Sequence, residues 1–321
     1  MIVYSSGCMG PEVERIQQNL KERGYYLGPI DGLFGGGTEA AVKLFQRERG
    51  LEVNGKVKAE TWATLFAGEM ITVPAIRKES LEKRCLALTG CFETGRMIPE
   101  AFCSISGNFD GQGIGFGALQ WNLGQQSLQP LLKEINSLYS LALAEIFDAH
   151  FQTLSAVLYE YGFHDQMAWA ISIQTDRFNI NEPWKGFFKT VGRNQEYQNI
   201  QMRFANHNYQ IALKLCREYK LSSERAVALM FDVVVQNGSI RTETRQLIET
   251  DFAKLDTSMS PENLEVERMR IVANRRAEAC GPLYRNDVRS RKMCCADGMG
   301  SLHGTDYDLE NQFGITLEKF C

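Results

Sequence analysis

The chain has 321 residues, 44% of them hydrophobic and 23% charged, with a formal net charge of −4. That length implies two domains, or three, with room for a sizeable core, and the acidic balance carries no signature of nucleic-acid binding. No apolar run reaches the roughly 18 residues of a membrane span, and MIVYSSGCMG lacks the basic region and apolar core of a secretory signal, so a soluble product made in the cytoplasm, without membrane insertion, is expected.

Residues 8–68 read as a small three-helix bundle. In GPEVERIQQNLKERGYY, Val13, Ile16 and Leu20 recur near the helical period, and Pro11 sits where a first-turn proline is tolerated. LGPIDGLFGGGT is a dense turn region. TEAAVKLFQRERG follows, with Thr38 as the expected N-cap and Ala41, Val42 and Phe45 on one face. AETWATLFAG is the third helix, ending at Gly68. Residues 69–79 form a linker broken by Pro74.

Residues 80–321 read as a second, mostly α domain with one small β hairpin. There is no βαβ alternation, so a nucleotide fold is not expected, and neither a P-loop nor a Gly-x-Ser-x-Gly elbow appears. Ser80 caps an apolar helix with Leu81, Cys85 and Leu88 on one face. That helix runs into the stretch that organises the domain, Cys91–Leu123: CFETGRMIPEAFCSISGNFDGQGIGFGALQWNL. Glu93 stands at the helix end. Asp110 follows 17 residues later in a Gly-rich segment, and FGALQWN reads as the start of another helix.

A chain that leaves a helix, makes a short hairpin and returns sets two such side chains across one cleft. Glycosidic cleavage needs that arrangement, with one carboxyl protonated as acid and the other ionised as base or stabiliser. Leu86, Leu88, Cys91 and Phe92 would desolvate Glu93, the setting a proton donor requires. Asn108, Gly111, Gln112 and Gly113 suit a wet, hydrogen-bonded carboxylate at Asp110. Each residue alone reads as a surface charge or a turn former. Paired across a Gly-rich segment that admits a bulky ligand, they favour the functional reading.

From Gln126 to Val191 three apolar-periodic runs follow, the last carrying Asp176 as a rival second carboxylate. Trp169 and Trp184 read as helical core rather than as sugar-stacking rings. Residues 194–220 form a long helix. SSERAVALMFDVVVQNGSI is another, capped by Ser222 or Ser223 and ending in Gln236-Asn237-Gly238. Those amides would either hydrogen-bond sugar hydroxyls or cap the helix. Arg268, Arg270, Arg275 and Arg276 read as a solvated face, with one of them available to a buried carboxylate near the cleft. The segment from Ser290 onward reads as turn-rich. The nine cysteines and four histidines show no Cys-x-x-Cys spacing, so no metal or cofactor is expected. Cys294-Cys295 is open to a redox or metal role, but reduced, mostly buried thiols are the better reading.

Residues 8–68 resemble the peptidoglycan-binding domain of many bacterial cell-wall hydrolases. The motif D-G-x-F-G-x-x-T-x-x-A-V-x-x-F-Q stands here as Asp31, Gly32, Phe34, Gly35, Thr38, Ala41, Val42, Phe45 and Gln46. Its tail, G-x-V-x-x-x-T-W, is Gly55, Val57, Thr61 and Trp62. The resemblance implies a non-catalytic module for cell-wall glycan or stem peptide. Asp31 and Gln46, the motif residues least tied to the core, are its candidate contacts.

The stretch from Phe92-Glu93 to Asp110-Gly-Gln-Gly-Ile-Gly-Phe-Gly resembles the catalytic region of the lysozyme-like superfamily, nearest to the chitosanases with an α-helical two-lobed fold. This implies a two-lobed, lysozyme-like α domain with Glu93 as general acid and Asp110 as the base that activates water. Gly115–Gln120 is similar to the G-x-x-Q step of lytic transglycosylases and lysozymes, which implies that Gln120 lines the glycan cleft, with Asn122 as a further substrate contact. Phe231–Gly238 also resembles a helix of the chitosanases. Where they commonly carry a Thr after the Asp, Gly115 stands here.

Together these readings describe a modular cell-wall lytic enzyme of the phage endolysin type. It would be a monomer without cofactor or metal, acting on bacterial peptidoglycan. The alternatives are a lytic transglycosylase in which Glu93 does both acid and base work, a chitosanase whose cleft is lined with acidic residues, and a non-catalytic wall-binding protein.

Overall fold

A computed structural model gives the fold and describes residues 2–320; Cys321 lies outside the described residues. The chain begins with α1 (Pro11–Glu22), α2 (Gly36–Glu48), α3 (Ala59–Leu65) and α4 (Leu81–Thr94). Three short strands follow, β1 (Ile105–Ser106), β2 (Gly115–Phe116) and β3 (Trp121–Asn122). Next come α5 (Leu128–Phe147), α6 (Phe151–Tyr159), α7 (Phe163–Ser172), α8 (Trp184–Arg193) and α9 (Gln195–Glu218). The chain closes with α10 (Glu224–Asn237), α11 (Thr242–Phe252), α12 (Pro261–Glu278), α13 (Arg285–Asp297), β4 (Met299–Leu302), β5 (Thr305–Asp308) and α14 (Leu309–Phe313). The protein is mostly α-helical, as its periodicity predicts. Two compact units result, Met1–Cys85 with Ala212–Cys321, and Leu86–Ile211. The cut falls within α4 and within α9 rather than in the 69–79 segment.

In the first unit, α1–α3 enclose a core that includes Ile16, Leu20, Phe34, Phe45 and Trp62. Pro11 opens α1, where its missing N–H costs nothing. α2 departs from expectation at its start: Gly35 is the N-cap, and Thr38 lies buried in the first turn. Its hydroxyl is already engaged, accepting from Gln17 Nε2 at 3.2 Å.

That contact belongs to a device the module uses twice. Gln17 is buried on α1. Its Oε1 accepts from the backbone N–H groups of Asp31 (3.1 Å) and Gly32 (2.9 Å). Its Nε2 donates to Asp31 Oδ1 (2.8 Å), the Leu33 carbonyl (3.0 Å) and Thr38. Gln46 on α2 repeats the pattern one turn-region later. Its Oε1 accepts from Asn54 N (3.1 Å) and Gly55 N (2.9 Å). Its Nε2 donates to Asn54 Oδ1 (3.2 Å), the Lys56 carbonyl (2.9 Å) and Thr61 Oγ1 (3.2 Å). Gly32 and Gly55 adopt the same left-handed φ, 69° and 72°, which favours glycine at both turns. The module is a structural repeat of helix, glutamine-clamped Asx-Gly turn and threonine.

The same unit joins the module to its C-terminal segment. Asn311 Oδ1 accepts from Val3 N (3.0 Å), Gln312 Nε2 donates to the Ser6 carbonyl (2.8 Å), and Arg77 pairs with Glu310 (2.6 Å). Residues 69–79 are bound back as well, through Tyr4 Oη to the Thr72 carbonyl (2.8 Å) and Ala75 N to Glu12 (3.2 Å).

Ser223 caps α10, its Oγ accepting from Ala226 N. α10 carries Asp232, fully buried between Arg291 (2.5 Å) and Lys292 (2.6 Å) of α13. Burial alone would raise this carboxyl, but the two cations outweigh it and hold Asp232 below the usual range, ionised. The buried carboxylate thus takes its cations from α13, not from the arginines of α12. Arg270 and Arg275 pair instead with Asp297 and Asp251. The expected turn-rich closure is the helix α13, the antiparallel β4–β5 hairpin and α14, with Asp308 capping the last. The eight described cysteines are free thiols. Burial pushes Cys8 up to about 11 and Cys294 up to about 12, and lifts Cys295 well above its ordinary value.

In the second unit, β1, β2 and β3 form an antiparallel sheet in that order, with Phe116 opposite Ile105 on one side and Trp121 on the other. The expected helix at FGALQWN is therefore absent: it is the β2–β3 hairpin. Gln120 sits at φ 49°, a left-handed conformation that no α-helix propagates. Trp169 and Trp184 are buried, their rings 5.2 Å apart, so the core reading of both holds.

Candidate active site

Glu93 is placed by the end of α4. The helix is apolar and buried from Cys85 to Phe92, then surfaces, leaving Glu93 half-buried. Thr94 helps fix the helix end, its Oγ1 donating to the Gly90 carbonyl at 2.7 Å and accepting from Arg96 N at 3.1 Å. Glu93 lines a cleft of about 390 Å³. Glu100 and Cys103 of the 3-10 turn Glu100–Cys103, Ser106 of β1, and Gln120 share its wall. Burial, with Glu100 adding to it, raises the Cys103 thiol, which stays protonated.

Gln120 reaches the cleft because the β2–β3 turn holds it there. Its Oε1 accepts from the Ser106 hydroxyl (2.6 Å), and its Nε2 donates to the Gly117 carbonyl (2.9 Å). Beneath the turn, buried Gln201 of α9 accepts from Ala118 N (3.1 Å) and donates to the Phe102 carbonyl (3.0 Å). Sequence reasoning missed Gln201. A glutamine on the apolar face of a helix was its only signal.

Further lining residues come from α8: Lys185, Lys189 and Arg193. α8 lies hard against the 3-10 turn because position 192 is glycine. A Cβ there would sit 2.4 Å from the Phe102 carbonyl oxygen and 2.5 Å from Cys103 Cα. These three cations were also missed; in sequence they pass for a solvated helix face.

Asp110 is not among the residues lining this cleft. It is exposed in the β1–β2 connection, where its Oδ1 accepts from Gln112 N at 3.0 Å. The connection is pinned by Asn108, which donates from its backbone N–H to Gln174 Oε1 (2.8 Å) and accepts from Gly113 N (2.7 Å). Asp176 is likewise exposed, in the turn after α7. Asn122 orders the turn after β3, its Oδ1 accepting from Gln125 N at 2.8 Å.

The other candidate contacts lie in the first unit. Gln236 donates to Asp287 (2.8 Å) and accepts from Lys292, which ties it to the Asp232 cluster. Asn237 donates to Cys280 Sγ. Gln46 and Asp31 belong to the paired turn clamps. Gln46 is buried with both amide atoms bonded inside the module, so it is framework rather than a ligand contact. Asp31 is held below the usual carboxylate range by Gln17 and the Leu33 N–H.

The comparisons with known proteins meet this geometry at the N-terminus. Residues 9–65 match the family described as "Putative peptidoglycan binding domain". Over 65 residues the chain is 47% identical to the spore cortex-lytic enzyme of Bacillus subtilis (strain 168), a match covering 20% of this chain and 21% of that protein. It is 40% identical to the crystal structure of the SleB N-terminal domain, covering 20% of this chain and 89% of that one, with a TM-score of 0.20. The chain thus spans about a fifth of the length of the curated relatives it matches. A native chitosanase from Bacillus subtilis MY002 aligns over 71% of this chain and 88% of its own, at 15% identity and a TM-score of 0.47. That likeness is too distant to bear on activity. Among the described residues no helix is long and apolar enough to cross a membrane.

Proposed function

We propose that this protein is a cell-wall lytic enzyme. Its N-terminal module holds peptidoglycan, and its second unit cleaves the glycosidic bonds of the glycan strand with Glu93 as general acid. The observation that carries this reading is a half-buried glutamate at the end of an apolar helix, on the wall of a cleft, in a chain that opens with a peptidoglycan-binding-type module. Such an acid delivers its proton to the leaving oxygen as the sugar gains oxocarbenium character. Gln120, locked by Ser106 and the Gly117 carbonyl, would line the substrate path.

Two carboxylates compete for the second role. Asp110 remains the proposed base, on a loop whose glycines admit a sugar. Glu100 is the second reading, because it lines the Glu93 cleft and Asp110 does not. Mass spectrometry of digested peptidoglycan tests both proposals. Reducing-end muramic acid identifies a muramidase, and reducing-end glucosamine a glucosaminidase. Anhydro-muramic ends identify a transglycosylase with no separate base. Intact strands that still retain the protein would overturn the enzymatic reading. Asp110→Asn and Glu100→Gln, assayed side by side, assign the base to whichever loses turnover.

A further inference from the structure

We infer that α8 presents a carboxylate-reading stripe to the cleft: Lys185, Lys189 and Arg193 bind acidic groups carried by the glycan, and so select an anionic polymer over a polycation such as chitosan. The inference rests on the lytic reading above and specifies the substrate class of the same site.

The three cations stand at i, i+4 and i+8 of one helix, so they share a face and extend over about 12 Å. That face lines the cleft that holds Glu93; Lys185 and Lys189 are half-buried there, and Arg193 is exposed at its end. Several helical cations of this protein are matched by acids one turn away, as in Lys83–Glu79, Arg245–Glu249 and Arg270–Glu267. The α8 cations are not. The helix WKGFFKTVGR contains no acid, and none of its three cations is ion-paired among the described residues. Arg96 adds a fourth cation to a wall whose acids are Glu93 and Glu100. The chain as a whole is −4, so the cleft wall reverses the sign of the molecule.

Like charges held along one wall repel, and a bound anion relieves that repulsion. A peptidoglycan strand brings such anions on the free carboxylates of its stem peptides, and on the lactyl groups of muramic acid units that carry no peptide. Protonated glucosamine units would meet the stripe with the wrong sign. Gly192 fixes the approach, since without its close packing α8 could not hold the stripe against the turn that carries Glu100 and Cys103.

The test is a binding experiment on the full chain carrying Glu93→Gln, so that ligand is not consumed, with and without Lys185→Gln, Lys189→Gln and Arg193→Gln. The probes are soluble peptidoglycan fragments, native or with their carboxylates converted to methyl amides. The N-terminal module is common to both proteins and cancels from the comparison. The stripe substitutions should weaken binding of native fragments about tenfold, each exposed charge contact contributing roughly two- to fivefold. They should leave the neutralised fragments nearly unaffected, and high salt should reproduce the loss in the parent. Lys185→Arg with Lys189→Arg should retain affinity, which separates charge from folding damage. Equal losses on both probes, or tighter binding of chitosan oligomers than of native fragments, would overturn the inference. Hydrolysis is read separately: intact strands after treatment with the parent protein would defeat the lytic reading, turnover surviving Glu93→Gln would defeat Glu93 as its acid, and either result leaves the binding result to be judged alone.

Discussion

The N-terminal module and the Glu93 cleft use polar side chains in opposite ways. In the module, Gln17 and Gln46 are buried and spend their amide groups on a neighbouring turn, with every bond returned inside the fold. In the cleft, Lys185, Lys189 and Arg193 line a cavity without ion-pair partners among the described residues. The first arrangement makes a rigid scaffold, because an unmade buried hydrogen bond is costly. The second keeps groups available for something that arrives from outside. A polar residue in a strong motif is thus not by that fact a ligand contact: full burial with every amide bond made inside the fold marks Gln17 and Gln46 as framework, whereas Gln120, though also bonded, is half-buried on the cleft wall.

Substitutions on each side should break in different currencies. The largest effect is expected at Glu93. Glu93→Gln should lower turnover on peptidoglycan by about 10²- to 10⁴-fold, the range of a lost general acid, while binding of whole sacculi stays unchanged in a pull-down. Asp232→Ala should come next, on stability alone. It strands two buried cations, at a cost of roughly 3–5 kcal/mol in urea unfolding.

The same cluster gives the contrast a pH dependence. Asp232 and Glu224 have folded pKa values held below their ordinary 3.8 and 4.5. For Glu224, burial opposes the shift, and Arg84 at 2.5 Å with the Thr316 N–H at 3.0 Å outweighs it. A depressed carboxylate contributes stability that is fully present above its unfolded pKa and is lost as pH falls through the folded one. Thermal unfolding should therefore be flat with respect to these groups above about pH 5 and decline below about pH 4.

Within the module, Gln17→Ala and Gln46→Ala should destabilise by similar amounts, roughly 2–4 kcal/mol each by denaturant unfolding, because each strands the same set of buried turn donors. Markedly unequal losses would sink the repeat as an energetic description. The smallest effect, and the one that links scaffold to cleft, is Gly192→Ala. The new methyl has no room against the Phe102 carbonyl, so α8 must shift, at about 1–3 kcal/mol. Weaker retention of anionic fragments should accompany that loss.

Much of this was legible in the chain. The helices followed the apolar period, and Ser223 and Pro11 marked starts that the structure retains. The reading failed where local pattern lost to turn geometry. FGALQWN has helical spacing, yet Gln120 is left-handed and its side chain bonds to Ser106 of another strand, a partner the spacing could not reveal. Thr38 looked like a cap because nothing in its neighbourhood announced Gln17, 21 residues earlier. In the candidate site, Glu93 and Gln120 were singled out in the sequence, and both line the one cleft. The α8 stripe was not, since a charged face reads the same whether water or a cleft lies beyond it.

The seam between the module and Asn311, Gln312 and Glu310 bears on how such a protein can be rebuilt. The module is not a bead on a string that could be exchanged for another targeting domain by splicing at residues 69–79. Excision would strip Asn311 and Gln312 of the Val3 and Ser6 backbone groups they hold, and Arg77 would leave Glu310 if the cut took it too. A graft made at that joint would need a new surface designed to meet α14, and a chimera lacking one should express as a damaged unit rather than as an intact fusion.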